Sequence, residues 1–186
     1  LLAAGARHAY FGHDAWESLA PGLKTLDDAL DIRRRVLNAF ERAEATDDLH
    51  ERAACLHFAV IGGGPTGVEL AGTLAEIARH TLKREFRRID PASARIRLIE
   101  AGPRVLAGFP EALSEAACRQ LERLGVEVLT GRPVASIDAA GYRIGDTEQA
   151  ARTVLWAAGV AASPLGSLLD TPRDRAGRVI VEPDLS

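Results

Sequence analysis

The stretch AVIGGGPTGVELAG, residues 59–72, constrains the fold of this chain more than any other. Gly62, Gly64 and Gly67 have the spacing GxGxxG, directly after an apolar strand-like run and at the start of a helical pattern. In this motif the first glycine permits a tight turn, the second lets backbone approach a pyrophosphate, and the third allows close helix-to-strand packing. The N-terminus of the helix then offers unpaired N–H groups to the anion. The sequence therefore predicts a dinucleotide-binding turn.

An acidic residue further along the chain is expected to complete this site. The predicted turn residues are Gly62, Gly63, Gly64, Pro65, Thr66 and Gly67. Glu100 closes the next predicted strand, where a carboxylate accepts hydrogen bonds from ribose hydroxyls and repels a 2′-phosphate. This favours NADH over NADPH, although Glu100 lies farther from the turn than the usual spacing of about 20 residues. The alternative is an ordinary charged strand end, and Arg104 just beyond it could meet a phosphate and permit NADPH.

The runs around the turn predict an α/β fold. Strands are predicted at 56–61, 95–100 and 126–130, and helices at 65–88 and 110–124. This β-α-β-α-β order is typical of a parallel sheet with helices on its faces. The later runs PVASID, GYRIGD and RTVLWAAG are short and bounded by Gly or Asp, which predicts an antiparallel section and a return to the main sheet. We expect a Rossmann-like parallel sheet with flanking helices plus a small antiparallel three-stranded section.

Two further features of the sequence are open to a structural or a functional interpretation. Glu69 is predicted in the first turn of the glycine-led helix, where the dipole stabilises a negative charge by about 0.3 to 1 kcal/mol. The same carboxylate would lie near the redox end of a bound dinucleotide. The runs LLAAGA and VLWAAGV both end an apolar strand in Ala-Gly, where backbone could pass close to a cofactor. Each run alone is explained by a glycine turn, and their pairing favours cofactor contact.

A long helix is predicted before the glycine turn. Thr25 and Asp28 have capping-box spacing, and apolar residues follow at helical intervals from Leu26 to about Ala45. The triplet Arg33–Arg35 is interpreted as a solvated face of this helix, with a binding role as the alternative.

Composition excludes several classes of function. A chain of 186 residues that is 47% hydrophobic can bury roughly 70% of its unfolded surface and form a soluble globular body. Its net charge of −3 provides no basic surface for nucleic acid, and no apolar run reaches the roughly 18 residues of a membrane span. Cys55 and Cys118 lack the CxxC spacing of a metal or redox site, which favours two structural thiols and predicts no metal.

The ends of the sequence favour a segment excised from a longer protein. The chain contains no methionine and opens with LLAAGA, a strand-like run that already stops at a glycine. The closing run RVIVEPDLS is predicted to pass through a strand without a capping element.

The whole set of motifs resembles type II NADH dehydrogenases. The resemblance rests on FGHDAWESLAPGLKTLDDALDIRRRVLNAFERAE, VIGGGPTGVELAGTLAEIARHTLKREFRRIDP, RIRLIEAGPRVLAGFPEALSEAACRQLERLGVEV and VLWAAGV. It covers nearly the whole chain, and the departures are small: Ala4 stands where the family often has threonine. Members of this family are flavoproteins in which a hydride passes from NADH to FAD and the reduced flavin delivers two electrons to a quinone.

The resemblance implies roles for individual residues and a split architecture. It implies that the four glycines of the turn hold the pyrophosphate, that Glu100 holds the adenine ribose, and that Glu69 acts near the nicotinamide and flavin. Ala158 and Gly159 would line the nicotinamide side. Residues 1–52, with a linker helix at about 25–45, would end a first FAD-domain segment. Residues 53–163 would form the NADH-binding domain, and 164–186 would return to a second FAD segment.

The same resemblance implies the cellular setting. The FAD site and the quinone and membrane contacts would lie mostly outside this chain, so the segment alone would be inactive and soluble. The complete protein would be peripheral to the inner membrane, on its cytoplasmic side. Two alternatives stay open: another flavoprotein reductase, acting on a ferredoxin or a disulfide, and an NADH-sensing module without catalysis.

Overall fold

The computed structural model describes residues 3–174 and 176–184. They form two compact units: one comprises 15–158, and the other the described residues up to Asp14 and from Gly159 onward. Along this part of the chain the α-helices are α1 (Leu26–Ala45), α2 (Leu49–Cys55), α3 (Pro65–Glu76) and α4 (Glu111–Arg123). The strands are β1 (Ala6–His8), β2 (His57–Ile61), β3 (Arg95–Ile99), β4 (Val126–Leu129), β5 (Val134–Ile137), β6 (Gly141–Ile144), β7 (Thr147–Ala150), β8 (Thr153–Trp156) and β9 (Val160–Ala162).

A four-stranded parallel sheet lies at the centre of the larger unit, in the order β4-β3-β2-β8. Its register places Val60 of β2 beside Leu98 of β3 and Leu155 of β8. All five residues of β2 are buried, as expected for a strand covered on both faces. The predicted Rossmann-like parallel sheet with flanking helices is confirmed, and its strands end at the same edge as the glycine turn.

The helices pack an apolar core against one face of this sheet. Alternate residues of β2, Phe58 and Val60, join Val36 and Phe40 of α1 in one buried cluster. The rings of Phe40 and Phe58 stack with centroids 5.1 Å apart. Because burying one such side chain contributes about 1.5–3 kcal/mol, this layer fixes α1 on the sheet.

The predicted helix α1 and its capping box are confirmed. The Thr25 side chain accepts from the Asp28 N–H, and the Asp28 carboxylate accepts from the Thr25 N–H at 2.8 Å. Two residues of the arginine triplet, Arg34 and Arg35, bind the Asp31 carboxylate of the same helix. Arg33 and Arg34 are exposed, as the solvated-face interpretation predicts, whereas Arg35 is half-buried and also donates to the Ser18 carbonyl at 3.1 Å.

Helix α2 carries one of the two cysteines. The Asp48 side chain caps its first turn, accepting from the N–H groups of His50 and Glu51. Cys55 at its end is buried, and burial together with the nearby Glu51 carboxylate raises the pKa of its thiol. Cys118 on α4 is half-buried, and both cysteines are free thiols.

Helix α3 is shorter than the sequence predicts. The predicted helix runs to Arg88, but α3 ends at Glu76 and one π-helical turn, Ile77–Thr81, follows it. Residues 82–88, predicted as helix, are not helical. The Glu44 carboxylate of α1 accepts the N–H groups of 87–89 at 2.9 to 3.1 Å, so a partner more than 40 residues away binds these donors outside a helix.

The antiparallel section also forms, with one strand that the sequence did not reveal. Strands β5, β6 and β7 form a three-stranded sheet, and β8 returns to the main sheet. The third strand is TEQA, residues 147–150, whose four residues are exposed or half-exposed. A strand without apolar alternation gives no periodic signal.

A buried ionic network joins this small sheet to the second face of the parallel sheet. Arg97 of β3 is only 8% exposed. Its guanidinium donates to Glu127 at 2.8 Å, to Gln149 at 2.5 Å and to the Tyr142 hydroxyl at 3.1 Å. A buried arginine is tolerated when its donors are paired in this way.

His57 of β2 extends the network. Its Nδ1–H donates to the Ala150 carbonyl at 2.8 Å, and this bond leaves Nε2 as the acceptor for the Tyr142 hydroxyl at 3.2 Å. Burial lowers the pKa of His57 below its ordinary value, and the charge of Arg97 acts in the same direction. The lowered pKa and the role of Nε2 as an acceptor both favour the neutral form of the ring.

The smaller unit contains the paired strands β1 and β9. They are antiparallel, with Ala6 opposite Ala162. The prediction of a strand over LLAAGA is wrong for Ala3 and Ala4, because the strand begins after Gly5, and Leu1 and Leu2 lie outside the described residues. The predicted strand in RVIVEPDLS is also wrong: its described residues form an isolated antiparallel bridge, between Val179 and Arg173, and no strand. Its last two residues, 185 and 186, lie outside the described range.

In the described ranges, no helix combines the length and apolar character needed to cross a membrane.

Candidate functional site

The three motif glycines divide into two that pack and one that faces open space. Gly62 has φ +113°, and a Cβ placed on it would lie 2.5 Å from the Cα of Ala158. A Cβ on Gly67 would overlap the Gly62 carbonyl oxygen. A Cβ on Gly64 would meet nothing within 4 Å. The open space therefore lies at the second glycine of the motif, where a pyrophosphate is expected to approach.

The N-terminus of α3 opens onto the same space. Its N-cap is Gly64, which provides no capping side chain, and Pro65 at the first helical position has no N–H. The first backbone bond of the helix runs from the Val68 N–H to the Gly64 carbonyl at 3.0 Å. Within the described residues, the N–H groups of Thr66 and Gly67 have no hydrogen-bond partner. Unpaired donors at a helix N-terminus form an anion site.

Glu100 lies beside this turn, at the end of β3. One carboxylate oxygen, Oε2, accepts the Gly63 N–H at 2.5 Å, and the other accepts the Gly102 N–H at 2.6 Å. The structure thus brings Glu100 to the turn, as the motif predicts. It also gives the carboxylate bonds to backbone that the sequence did not suggest.

The loop that follows Glu100 touches the turn from the other side. The Leu106 N–H donates to the Gly63 carbonyl at 2.7 Å. The peptide groups of Gly63 are therefore bound on both sides, by Glu100 and by Leu106. Leu106 itself has φ +50°, an uncommon conformation for a residue with a side chain.

Arg104 belongs to the same loop and does not point its donors at the turn. Its guanidinium donates to three carbonyls of the loop: Leu106 at 3.2 Å, Ala107 at 2.7 Å and Phe109 at 3.0 Å. The sequence offered Arg104 as a phosphate contact. In the structure its hydrogen bonds go to the loop.

Glu69 does not lie in the first turn of α3, where the sequence predicts it. The first turn contains no acidic residue, because α3 begins at Pro65 and Glu69 is its fifth residue. The prediction of first-turn dipole stabilisation is wrong, since that effect falls off beyond the first turn. Glu69 is exposed and lines a groove of about 250 Å³ between α3 and α4, together with Thr73 and Glu76.

The residues after β8 are predicted to line the nicotinamide side. Ala158 lies against Gly62, as the Cβ distance at that glycine shows. Gly159, in the smaller unit, accepts the Ala9 N–H at 3.2 Å, and a Cβ on it would lie 2.5 Å from the ring of Phe11. The predicted form of VLWAAGV, a strand followed by small residues, is confirmed.

Comparison with known proteins agrees with this geometry. The sequence model of the family described as pyridine nucleotide-disulphide oxidoreductase matches residues 1–186. The chain belongs to this family. The pyridine nucleotide-disulphide oxidoreductase chain is 47% identical, over 195 aligned positions, to the type II NADH:quinone oxidoreductase Ndh of Mycobacterium tuberculosis. That alignment covers all of this chain and 42% of the relative. The resemblance to type II NADH dehydrogenases is thereby confirmed.

Solved structures of this oxidoreductase family share the fold. NDH2 from Plasmodium falciparum in complex with NADH is 28% identical, with a TM-score of 0.79 over 87% of this chain and 34% of that one. A ferredoxin reductase from Rhodopseudomonas palustris is 20% identical with a TM-score of 0.67, over 95% of this chain and 38% of its own. The second likeness concerns the fold alone. The chain spans 42% of the M. tuberculosis relative.

Proposed function

We propose that the chain is the NADH-binding part of a flavin-dependent NADH:quinone oxidoreductase. The observation that carries the proposal is the open space at Gly64, where the uncapped N-terminus of α3 faces outward beside Glu100. The 47% identity to a type II NADH:quinone oxidoreductase supports the reaction class. The likeness to NDH2 in complex with NADH supports the nucleotide.

The turn would hold the pyrophosphate of NADH. The N–H groups of Thr66 and Gly67 would donate to it, and the helix dipole would favour its charge. Gly62 and Gly63 shape the turn, and Pro65 begins the helix without using a donor. Gly64 leaves room for the approaching phosphate oxygens.

Glu100 would accept the hydroxyls of the adenine ribose. An ionised carboxylate has about four lone-pair sites, so Glu100 can keep its bonds to Gly63 and Gly102 and accept further hydrogen bonds. A 2′-phosphate would meet this negative charge, and Arg104 would not compensate it, because the Arg104 donors are engaged in the loop. The site therefore favours NADH over NADPH.

When bound, NADH supplies the hydride that FAD accepts, and the reduced flavin supplies two electrons to the quinone. Glu69 would act at the redox end of the nucleotide as the catalytic carboxylate, orienting the nicotinamide carboxamide or handling a proton. Ala158 and Gly159 would line the nicotinamide side, where small residues permit close approach.

The chain would supply one part of a split protein. Residues 1–52, with the linker helix, would end a first FAD-domain segment, 53–163 would bind NADH, and 164–186 would lead to a second FAD segment. FAD would lie mostly outside this chain, as would the quinone site and the C-terminal region that contacts the membrane. The complete protein would be peripheral to the inner membrane on its cytoplasmic side.

Calorimetric titration of the chain with NADH and with NADPH tests the nucleotide assignment. We expect NADH to bind at one site and more tightly than NADPH. Equal or reversed affinities would contradict the role of Glu100. In the parent protein, NADH oxidation should require FAD and a quinone. Turnover with a ferredoxin or a disulfide in place of the quinone would contradict the assignment of quinone as the electron acceptor.

A further inference from the structure

The loop Ala101–Pro110, here called the cradle loop, joins β3 to α4 and is attached to the glycine turn. The Gly102 N–H donates to Glu100, and the Leu106 N–H donates to the Gly63 carbonyl at 2.7 Å. Val105 is fully buried, and its carbonyl accepts the Ser114 hydroxyl of α4 at 2.6 Å. The position of Leu106 therefore determines where the Gly63 peptide lies.

Arg104 holds the centre of the cradle loop. Its planar guanidinium donates from Nη1 to the carbonyls of Leu106 and Phe109 and from Nη2 to the carbonyl of Ala107. Three converging carbonyls repel one another unless a fork of donors lies between them. The same contacts stabilise the positive φ of Leu106, whose backbone is +50°.

We propose that Arg104 is a positioning residue of the nucleotide site: by fixing Leu106 it fixes Gly63, and so sets the shape of the turn that receives the pyrophosphate. The assignment rests on the proposed function. It differs from a phosphate-binding role, because the Arg104 donors are used inside the loop and contribute equally to the binding of NADH and NADPH.

Two measurements on the chain test this proposal. In Arg104→Gln we expect faster hydrogen exchange at the Leu106 amide before any nucleotide is added. We also expect the Kd values of NADH and NADPH to rise together, by about tenfold or more, as for the loss of hydrogen bonds from a charged donor. Arg104→Lys keeps the charge but has one donor nitrogen in place of the two that bind the three carbonyls, and it should not fully restore either property. Arg123→Gln is the matched control, because Arg123 is exposed on α4 and donates to the Arg119 carbonyl of its own helix.

The outcomes separate the alternatives. A selective loss of NADPH affinity in Arg104→Gln, or full rescue by lysine, would make Arg104 a phosphate ligand and overturn the proposal. Unchanged hydrogen exchange at the Leu106 amide in Arg104→Gln would also overturn the proposal. If Arg104→Gln does not fold, Arg104→Lys is judged by the same two measurements. If the unmodified chain binds no NADH, the proposed function fails, and the exchange of Leu106 in the absence of nucleotide still decides the role of Arg104.

Discussion

The carboxylate of Glu100 accepts the backbone N–H of Gly63 at 2.5 Å, although 37 residues separate the two in the chain. The residue proposed to recognise the ribose therefore also holds the turn proposed to receive the pyrophosphate. Replacing Glu100 should affect both halves of the nucleotide.

Glu100→Arg should raise the Kd of NADH by about tenfold or more, because each lost hydrogen bond to a charged group costs about 1.5–3 kcal/mol. Glu100→Gln keeps one acceptor oxygen and should have a smaller effect in the same direction. Calorimetry on both variants provides the measurement. Glu122→Gln, an exposed residue near the end of α4, is the control and should bind NADH normally. A Kd of NADH for Glu100→Arg within twofold of that for the unmodified chain would contradict the proposed role of Glu100 in NADH binding.

Gly64→Ala should weaken nucleotide binding and leave the fold intact. Its Cβ meets no atom within 4 Å, so the free energy of unfolding should fall by less than about 1 kcal/mol, the usual effect at an N-cap. The methyl group would occupy the space of the pyrophosphate and raise the Kd. Gly67→Ala is the contrasting variant, because its Cβ would overlap the Gly62 carbonyl and destabilise the fold. Urea denaturation and NADH titration on each variant check the pair; unchanged NADH affinity in Gly64→Ala would contradict the proposed approach of the phosphate.

Glu69→Gln should slow flavin reduction in the parent protein by about tenfold or more, a typical loss for a group that orients or protonates the reacting centre. It should leave the affinity of the chain for NADH unchanged. Glu76 provides a matched control, since it lies two turns later on the same helix and lines the same groove. Stopped-flow flavin absorbance should show the defect in Glu69→Gln and not in Glu76→Gln. Equal rates of flavin reduction in Glu69→Gln and Glu76→Gln would contradict a catalytic role for Glu69.

Local signals were sufficient to predict much of the fold. The Thr25 capping box and the order of strands around the glycine turn involve neighbours in sequence, and the structure has them as expected. The glycine turn was also predictable, because the GxGxxG spacing and the strand-like and helical runs that flank it involve neighbouring residues.

Long-range contacts explain what the sequence did not reveal. The N–H groups of 87–89 bind Glu44, and the Gly63 carbonyl of the turn binds the N–H of Leu106; neither partner is apparent from the residues that it affects. The network of Arg97 is similar, since a polar residue in a buried strand gives no signal until its partners on the small sheet are known. The run AGPRVLAGFP after Glu100 contains two glycines and two prolines, and this composition indicates a loop.

His57 predicts a dependence of stability on pH. Its pKa is lowered in the folded chain, so its contribution is complete above the unfolded value of 6.5 and is lost as the pH falls from 6.5 through the folded pKa. Between pH 7.5 and 5.5 this loss is at most about 1.4 kcal/mol, the limit set by one unit below the unfolded pKa. Urea denaturation at the two pH values should show a smaller difference in His57→Gln than in the unmodified chain. An identical difference in both would contradict the assignment.

The bonds on both sides of the Gly63 peptide have a thermodynamic consequence. Since Glu100 and Leu106 already restrain the two peptide groups that meet at Gly63, the conformational entropy of ordering the turn is lost during folding and not during association. The turn is preorganised, and a nucleotide that enters it should bind in a single kinetic phase. The heat-capacity change of binding should then correspond to the buried surface of the nucleotide alone.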